Sequence, residues 1–224
     1  MGILKTITEE YFGDIIRKED EINIEGLDVE IVSFTDNNGN IHRRGYKPKD
    51  EENLQELLER MIEVRGDEGD FNDIDTSDIK IMDSLFRENS TFNGDITGWD
   101  VSNVIDMNSM FDDATSFNRP IGNWDVSEVT NMSCMFNYAT SFNRPIGDWN
   151  VSEVTDMSSM FNYATSFNQP IGDWKFPKVK DINYMFQGAK SFNQDLSKWN
   201  LKGKYIGDMF RGCPIKDEYK PKMK

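Results

Sequence analysis

Residue types that ordinarily carry chemistry are few in this chain. There is one histidine, His42, and there are two cysteines, Cys134 and Cys213. A structural zinc site needs four nitrogen or sulfur ligands, and a nucleophile needs a base held beside it. One His and two Cys cannot build the usual zinc sets and leave little for a Cys-His or Ser-His pair. Two distant cysteines do not make a disulfide framework. No phosphate-binding loop is present. The expectation is a non-enzymatic protein with no catalytic residue, metal ligand or cofactor. Two recurring residue sets still invite a functional reading. Trp99, Trp124, Trp149, Trp174 and Trp199 could form a platform on which a sugar or other ligand stacks. The aspartates Asp100, Asp125, Asp106 and Asp156 could bind calcium. Periodic tryptophan beside apolar residues is read as core. The aspartate columns are interrupted by Asn and Lys and lack the Gly-rich nonapeptides of calcium-binding rolls.

The element that must position all of these is a repeat. SFNRPIGNW (Ser116–Trp124), SFNRPIGDW (Ser141–Trp149) and SFNQPIGDW (Ser166–Trp174) follow one another at 25-residue steps. Phe92, Phe117, Phe142, Phe167 and Phe192 keep that step, as do the five tryptophans and Asn93, Asn118, Asn143, Asn168 and Asn193. Met110, Met135, Met160 and Met185 are each followed by Phe, and a copy one residue shorter gives Met209-Phe210. A degenerate earlier copy, Ile74–Phe86, aligns with Trp99–Phe111. A 25-residue unit has too little apolar surface to fold alone, whereas stacked units bury a continuous core. The period lies within the leucine-rich-repeat range.

The expected fold is therefore an α/β repeat solenoid. It is a leucine-rich-repeat-like stack of about six 25-residue coils over residues 70–213, preceded by a small α+β unit. Parallel strand pairing would set a step of about 4.8 Å. Phe117, Ile121, Trp124, Val126, Val129, Met132, Met135 and Phe136 form the apolar set of one coil, and Ala114, Ala139, Ala164 and Ala189 a small-residue column. The spacing of Val129, Met132 and Met135 predicts one or two helical turns. The asparagine column is expected to form a ladder of buried amides. Proline cannot donate in a ladder, so the strand is placed after it, within IGDWNV. Cys134 and Cys213 then lie about three coils, or roughly 14 Å, apart and stay free thiols.

The combination W-[DN]-V-S-x-V-x-[DN]-M-x-x-M-F followed by A-T-S-F-N, carried through about two thirds of the chain, resembles the BspA-type leucine-rich-repeat surface-protein family. The resemblance implies a non-enzymatic, often cell-surface, adhesive or protein-binding scaffold. It also admits cytoplasmic and virion settings, since the family occurs in intracellular and viral contexts.

Outside the repeats, residues 50–66 predict a helix. Asp50 is its N-cap, Glu51 and Glu52 sit at the positive end, Gly66 terminates it, and Leu54, Leu57, Leu58 and Met61 form its apolar face. It is read as the cap and linker (50–69) on the first coil. Residues 1–49 form the small unit: ITEEYFGDIIRK suits a helix, and Leu27, Val29 and Ile31 alternate in a hairpin turned by Asn38-Gly39. His42-Arg43-Arg44 is a short basic spot, read as exposed hairpin residues. MGILKT fits the N-myristoylation pattern at Gly2, a pattern short enough for chance to explain. A basic C-terminal tail occupies 214–224. Neither a secretory signal nor an apolar run long enough to span a membrane is visible.

The net charge of −15 argues against nucleic acid as a partner. The charge is uneven. Residues 1–174 carry 13 basic against 35 acidic side chains, and residues 175–224 carry 12 against 5. Core columns repeat almost unchanged, so a partner must be read where coils differ. The stretch NVSEVTDMSS (Asn150–Ser159) becomes KFPKVKDINY (Lys175–Tyr184) in the next coil. The candidate binding edge is Lys175, Lys178, Lys180, Lys198, Lys202 and Lys204. Guarding the end of a sheet against edge-to-edge pairing is the plainer use of such lysines. Two functions are weighed: a scaffold binding another protein, and a structural protein that self-associates, as in a surface layer or virion.

Overall fold

The computed structural model describes residues 22–35 and 41–222. Strands β1 (Val29–Thr35) and β2 (Ile41–Pro48) form an antiparallel hairpin, with a register shift between Val32 and Phe34. Helix α1 follows at Glu51–Arg65. The Asp50 carboxylate accepts from the Asn53 amide at its start, and Gly66, at φ 76°, ends it. Leu54, Leu57, Leu58 and Met61 are buried. The helix expected over the first residues, the Asn38-Gly39 turn, the side chains of His42-Arg43-Arg44 and Gly2 lie outside the described residues.

The repeats stack in register. At each of five junctions, four alternate backbone N–H groups of one unit donate to four carbonyls of the next. Between the first two units, Met82, Ser84, Phe86 and Glu88 donate to Asp106, Asn108, Met110 and Asp112 at 2.7–2.9 Å. The last junction repeats this from Ile182, Tyr184, Phe186 and Gly188 to Tyr205, Gly207, Met209 and Arg211. The intervening N–H groups close i→i−3 turns, as Met135 to Met132, Asn137 to Cys134 and Ala139 to Phe136 do.

This corrects the expected helical turns. A helix would turn every N–H back along its own axis. Here the chain enters the left-handed region twice per unit, at Cys134 (φ 56°) and Tyr138 (φ 53°), and at Ser159 (φ 57°) and Tyr163 (φ 53°) in the next. Each excursion costs a non-glycine residue about 1–2 kcal/mol. It aims alternate amides at the neighbouring unit, which satisfies them. The i, i+3 apolar spacing belongs to these successive turns. The strand expected within IGDWNV is also absent. Parallel bridges occur instead as single residues, running Ile81–Asp106–Asn131–Asp156–Asp181–Tyr205.

The apolar columns are buried. Two rows of phenylalanine run through the stack. Phe92, Phe117, Phe142, Phe167 and Phe192 sit 5.9–6.1 Å apart, and Phe86, Phe111, Phe136, Phe161, Phe186 and Phe210 sit 5.4–5.9 Å apart. The rings of the two rows stack on each other at 3.9–4.1 Å. Glycine is required beside the prolines: a Cβ at Gly147 would stand 2.5 Å from the Pro170 carbonyl of the next unit, and one at Gly122 would stand 2.4 Å from that of Pro145. The hairpin joins the first unit through Tyr46, whose N–H donates to Asp73 and whose carbonyl accepts from Asp75. Arg65 pairs with Asp73 at 2.7 Å and donates to the Asp70 carbonyl, tying α1 to the same unit.

Candidate functional site

The tryptophans are core. Each is 3–4% exposed. The indole N–H of Trp99, Trp149, Trp174 and Trp199 donates to a carbonyl of the preceding unit (Phe71, Ile121, Ile146 and Ile171) at 3.0–3.2 Å. No face is left on which a ligand could stack, so the platform reading fails. The aspartates are spent on turns. Asp100, Asp106, Asp125 and Asp156 each accept from the amide two residues on, at 2.8–3.1 Å. Among the described residues no group of three carboxylate, thiol or imidazole side chains is placed to hold a metal ion. The recurring signal was [DN]-x-[STN], the signature of a side chain that closes its own turn.

The asparagine ladder exists in a different form from the one expected. Each side-chain oxygen accepts from the next unit's Asn amide: Asn93 from Asn118, Asn118 from Asn143, Asn143 from Asn168 and Asn168 from Asn193, at 2.9–3.1 Å. These side chains line the surface or lie half-buried. A second ladder, in which Asn137 donates to Asp112 and Asn162 donates to Asn137, runs beside it. Burial pushes the Asp112 carboxyl above its usual range, against the Asn137 bond that favours its charged form. Cys134 and Cys213 are free and half-buried, and burial raises both thiols. Asp112 and Asp156 add to that rise at Cys134.

The six lysines of the proposed edge do not behave alike. Lys178 pairs with Glu153 of the preceding unit, and Lys198 with Asp173 at 2.6 Å, which holds that carboxyl low and the Lys198 amine high. Lys204 turns inward. It follows Val104, Val129, Val154 and Val179 in the stack, and its amine donates to the Phe176 and Val179 carbonyls at 3.2 and 2.6 Å. The amine also lies 5.3 Å from the Phe176 ring centre, and burial lowers its pKa. Lys175, Lys180 and Lys202 are exposed, with no ion pair among the described residues.

Sequence reasoning passed over the exposed aromatics. Tyr205 is 70% exposed and Tyr184 43%. Tyr205 bridges Asp181 and donates its N–H to the Lys180 carbonyl, so Lys180 and Tyr205 are neighbours across one junction. The signal was present as tyrosine in columns held in the middle units by Ser, Cys, Asp and Asn. Lys180 and Tyr205 thus set a cation and an exposed aromatic ring at neighbouring positions, the composition of a contact patch.

A family model described as "Mycoplasma protein of unknown function, DUF285" matches residues 52–153 and 121–219. The two spans overlap, as a repeated unit allows, and together they cover well over half of the chain. The chain belongs to this family. No curated protein and no solved structure matches it. The DUF285 match begins within α1 and runs through all the stacked units into the tail, so helix and array fall under one family description. Among the described residues no helix is long and apolar enough to cross a membrane.

Proposed function

We propose that this chain is a non-enzymatic scaffold of the BspA-type leucine-rich-repeat kind, a solenoid whose variable surface binds another protein. The observation that carries the reading is the division of each unit. Its Phe, Trp, Met and Val columns are buried and nearly constant, while Lys180, Tyr184 and Tyr205 are exposed side chains in columns that change from unit to unit. Buried columns cannot distinguish partners. Exposed tyrosine and lysine can, and tyrosine is enriched at interfaces. The partner is read as a protein with acidic groups facing Lys175 and Lys180, reached without enzymatic turnover or a cofactor.

The test is capture of partners by immobilised protein, compared with a variant carrying Lys175→Glu, Lys180→Glu and Tyr205→Ala. All three positions are exposed, so melting should be unaltered. Capture should fall sharply and, in the wild type, weaken as salt rises. Equal capture by both proteins would place the binding face elsewhere.

A further inference from the structure

The two ends of the ladder carry opposite halves of one hydrogen-bond pattern. At every internal junction the N–H groups of one unit point to the carbonyls of the next. In the last unit the equivalent donors are Ile206, Asp208, Phe210 and Gly212. Among the described residues none of these four amides has an acceptor. In the first unit the equivalent acceptors are Ile81, Asp83, Leu85 and Arg87, and no described residue donates to their carbonyls. Among the described residues one end is therefore a row of four unpaired donors, the other a row of four unpaired acceptors, both with the spacing the chain already uses five times over.

Apolar surface accompanies both rows. Leu201, Ile206, Met209, Phe210 and Pro221 line a cavity of about 360 Å³ beside the donors, rimmed by Arg211 and Lys220. At the acceptor row Ile81 is 43% exposed and Leu85 is half-buried. Helix α1 contributes its buried leucines to the core at the first unit, yet Ile81, Asp83 and Arg87 remain exposed. Charge agrees with the pairing. The half bearing the acceptors is strongly acidic and the end bearing the donors is basic.

We propose that a second copy of this chain docks head to tail, the carbonyls of its first unit taking the amides of the last unit. The contact uses two different surfaces, so it leaves a free end on each side and builds rings or open filaments rather than closed dimers. This goes beyond the partner-binding reading, and a protein that stayed monomeric would leave that reading intact.

The test is sedimentation velocity over a concentration series with two blocked variants. Ile81→Glu puts a charge at the acceptor row, and Ile206→Glu puts one at the donor row. Arg211→Glu, at a side chain 71% exposed, replaces the second if its melting shows a folding defect. Wild-type protein should form species larger than dimers as concentration rises, and each variant alone should be monomeric. An equimolar mixture should give a dimer and nothing larger, because one open donor row and one open acceptor row remain. Wild-type protein monomeric throughout overturns the proposal. So does association that either variant alone retains, which would mean another surface.

Discussion

The first and last units of the array are built from the same 25-residue plan and end differently. At the front, α1 packs its apolar face onto the core of the stack but, among the described residues, leaves the carbonyl row of the first unit open. Leu54, Leu57, Leu58 and Met61 join Phe71, Ile74 and Phe86 in one buried core, and Arg65 clamps the helix to Asp73. At the back, among the described residues, only a single 3-10 turn (Asp217–Tyr219) follows. Phe210 is half-buried, Tyr205 stands out in solvent, and the polypeptide turns back so that Leu196 donates to Tyr219 and Lys216 to Asn193. A stacked array hides everything but its ends and its variable columns, so those are the places where function can be written. Most informative are changes that treat interior and ends differently.

The largest effect should come from register. Removing Phe117–Ser141, one whole period, leaves every column with a matching neighbour and should give a folded, shorter array. Removing 12 residues instead puts Phe142 in the column of Thr130 and Trp149 in the column of Asn137, and should abolish cooperative unfolding. Circular dichroism melts of the two deletions decide this. Equal behaviour would mean that the columns do not hold the units together.

Next in size is the contrast between an interior and an exposed aromatic. Trp149→Ala removes a side chain 4% exposed together with its bond to Ile121, and should cost about 3–5 kcal/mol. Tyr205→Ala should cost less than about 0.5 kcal/mol. Denaturant titration of both measures the difference. A cost at Tyr205 close to that at Trp149 would show that the last unit is not an open end.

How far the fold could be read from sequence follows the same division. Columns set by burial were legible, because burial repeats a residue type at a fixed step: Phe117, Trp124, Met132 and Ala139 are all in the core as expected. Helix α1 was legible down to its caps, since Asp50 and Gly66 act locally. The backbone of the repeat was not. An i, i+3 spacing fits a helix and a chain of turns equally, and what decides is the left-handed excursion at Cys134 and Tyr138, residues that carry no glycine to announce it. The lysine edge was legible only in part. Lys178 and Lys198 meet partners one unit back, and Lys204 replaces a valine, contacts fixed by stacking rather than by local sequence.

A smaller effect is expected from the asparagine ladder. Asn143→Ala deprives the Asn168 amide of its acceptor and leaves the Gln169 side chain only the Asn143 backbone carbonyl. One unsatisfied donor costs about 1–3 kcal/mol when buried, and these sites are half-open, so a loss near about 1 kcal/mol is expected. Asn193→Ala, whose acceptor serves Lys216 in the tail, should instead loosen the tail and leave the interior untouched. Hydrogen exchange separates the two, with faster exchange near Asn168 in one variant and near Lys216 in the other.

The smallest effect, and the one that tests the end of the array most directly, lies at Lys204. The earlier units place isoleucine (Ile79) or valine (Val104, Val129, Val154 and Val179) there. The lysine keeps its stem among apolar neighbours and satisfies its amine with two carbonyls, but burial lowers its pKa, so the charged form is held at a cost. Phe176 also accepts from the Val179 amide, so removing the amine leaves that carbonyl bonded. Lys204→Val should therefore be neutral or stabilising, within about 1 kcal/mol. The sign of the pH effect follows from linkage. A lysine whose folded pKa is below its unfolded value binds its proton more tightly when unfolded, so stability rises with pH between those two values, up to the ordinary value of 10.5. Lys47, Lys49 and Lys198 have raised values and act in the opposite sense, losing stability as pH rises through them. The wild-type curve alone is thus a mixture. The difference between wild type and Lys204→Val isolates the buried amine, and it should shrink toward alkaline pH as the wild-type lysine discharges. A difference that is flat with pH would show that Lys204 is solvated and that the last unit is no more closed than its surface tyrosine suggests.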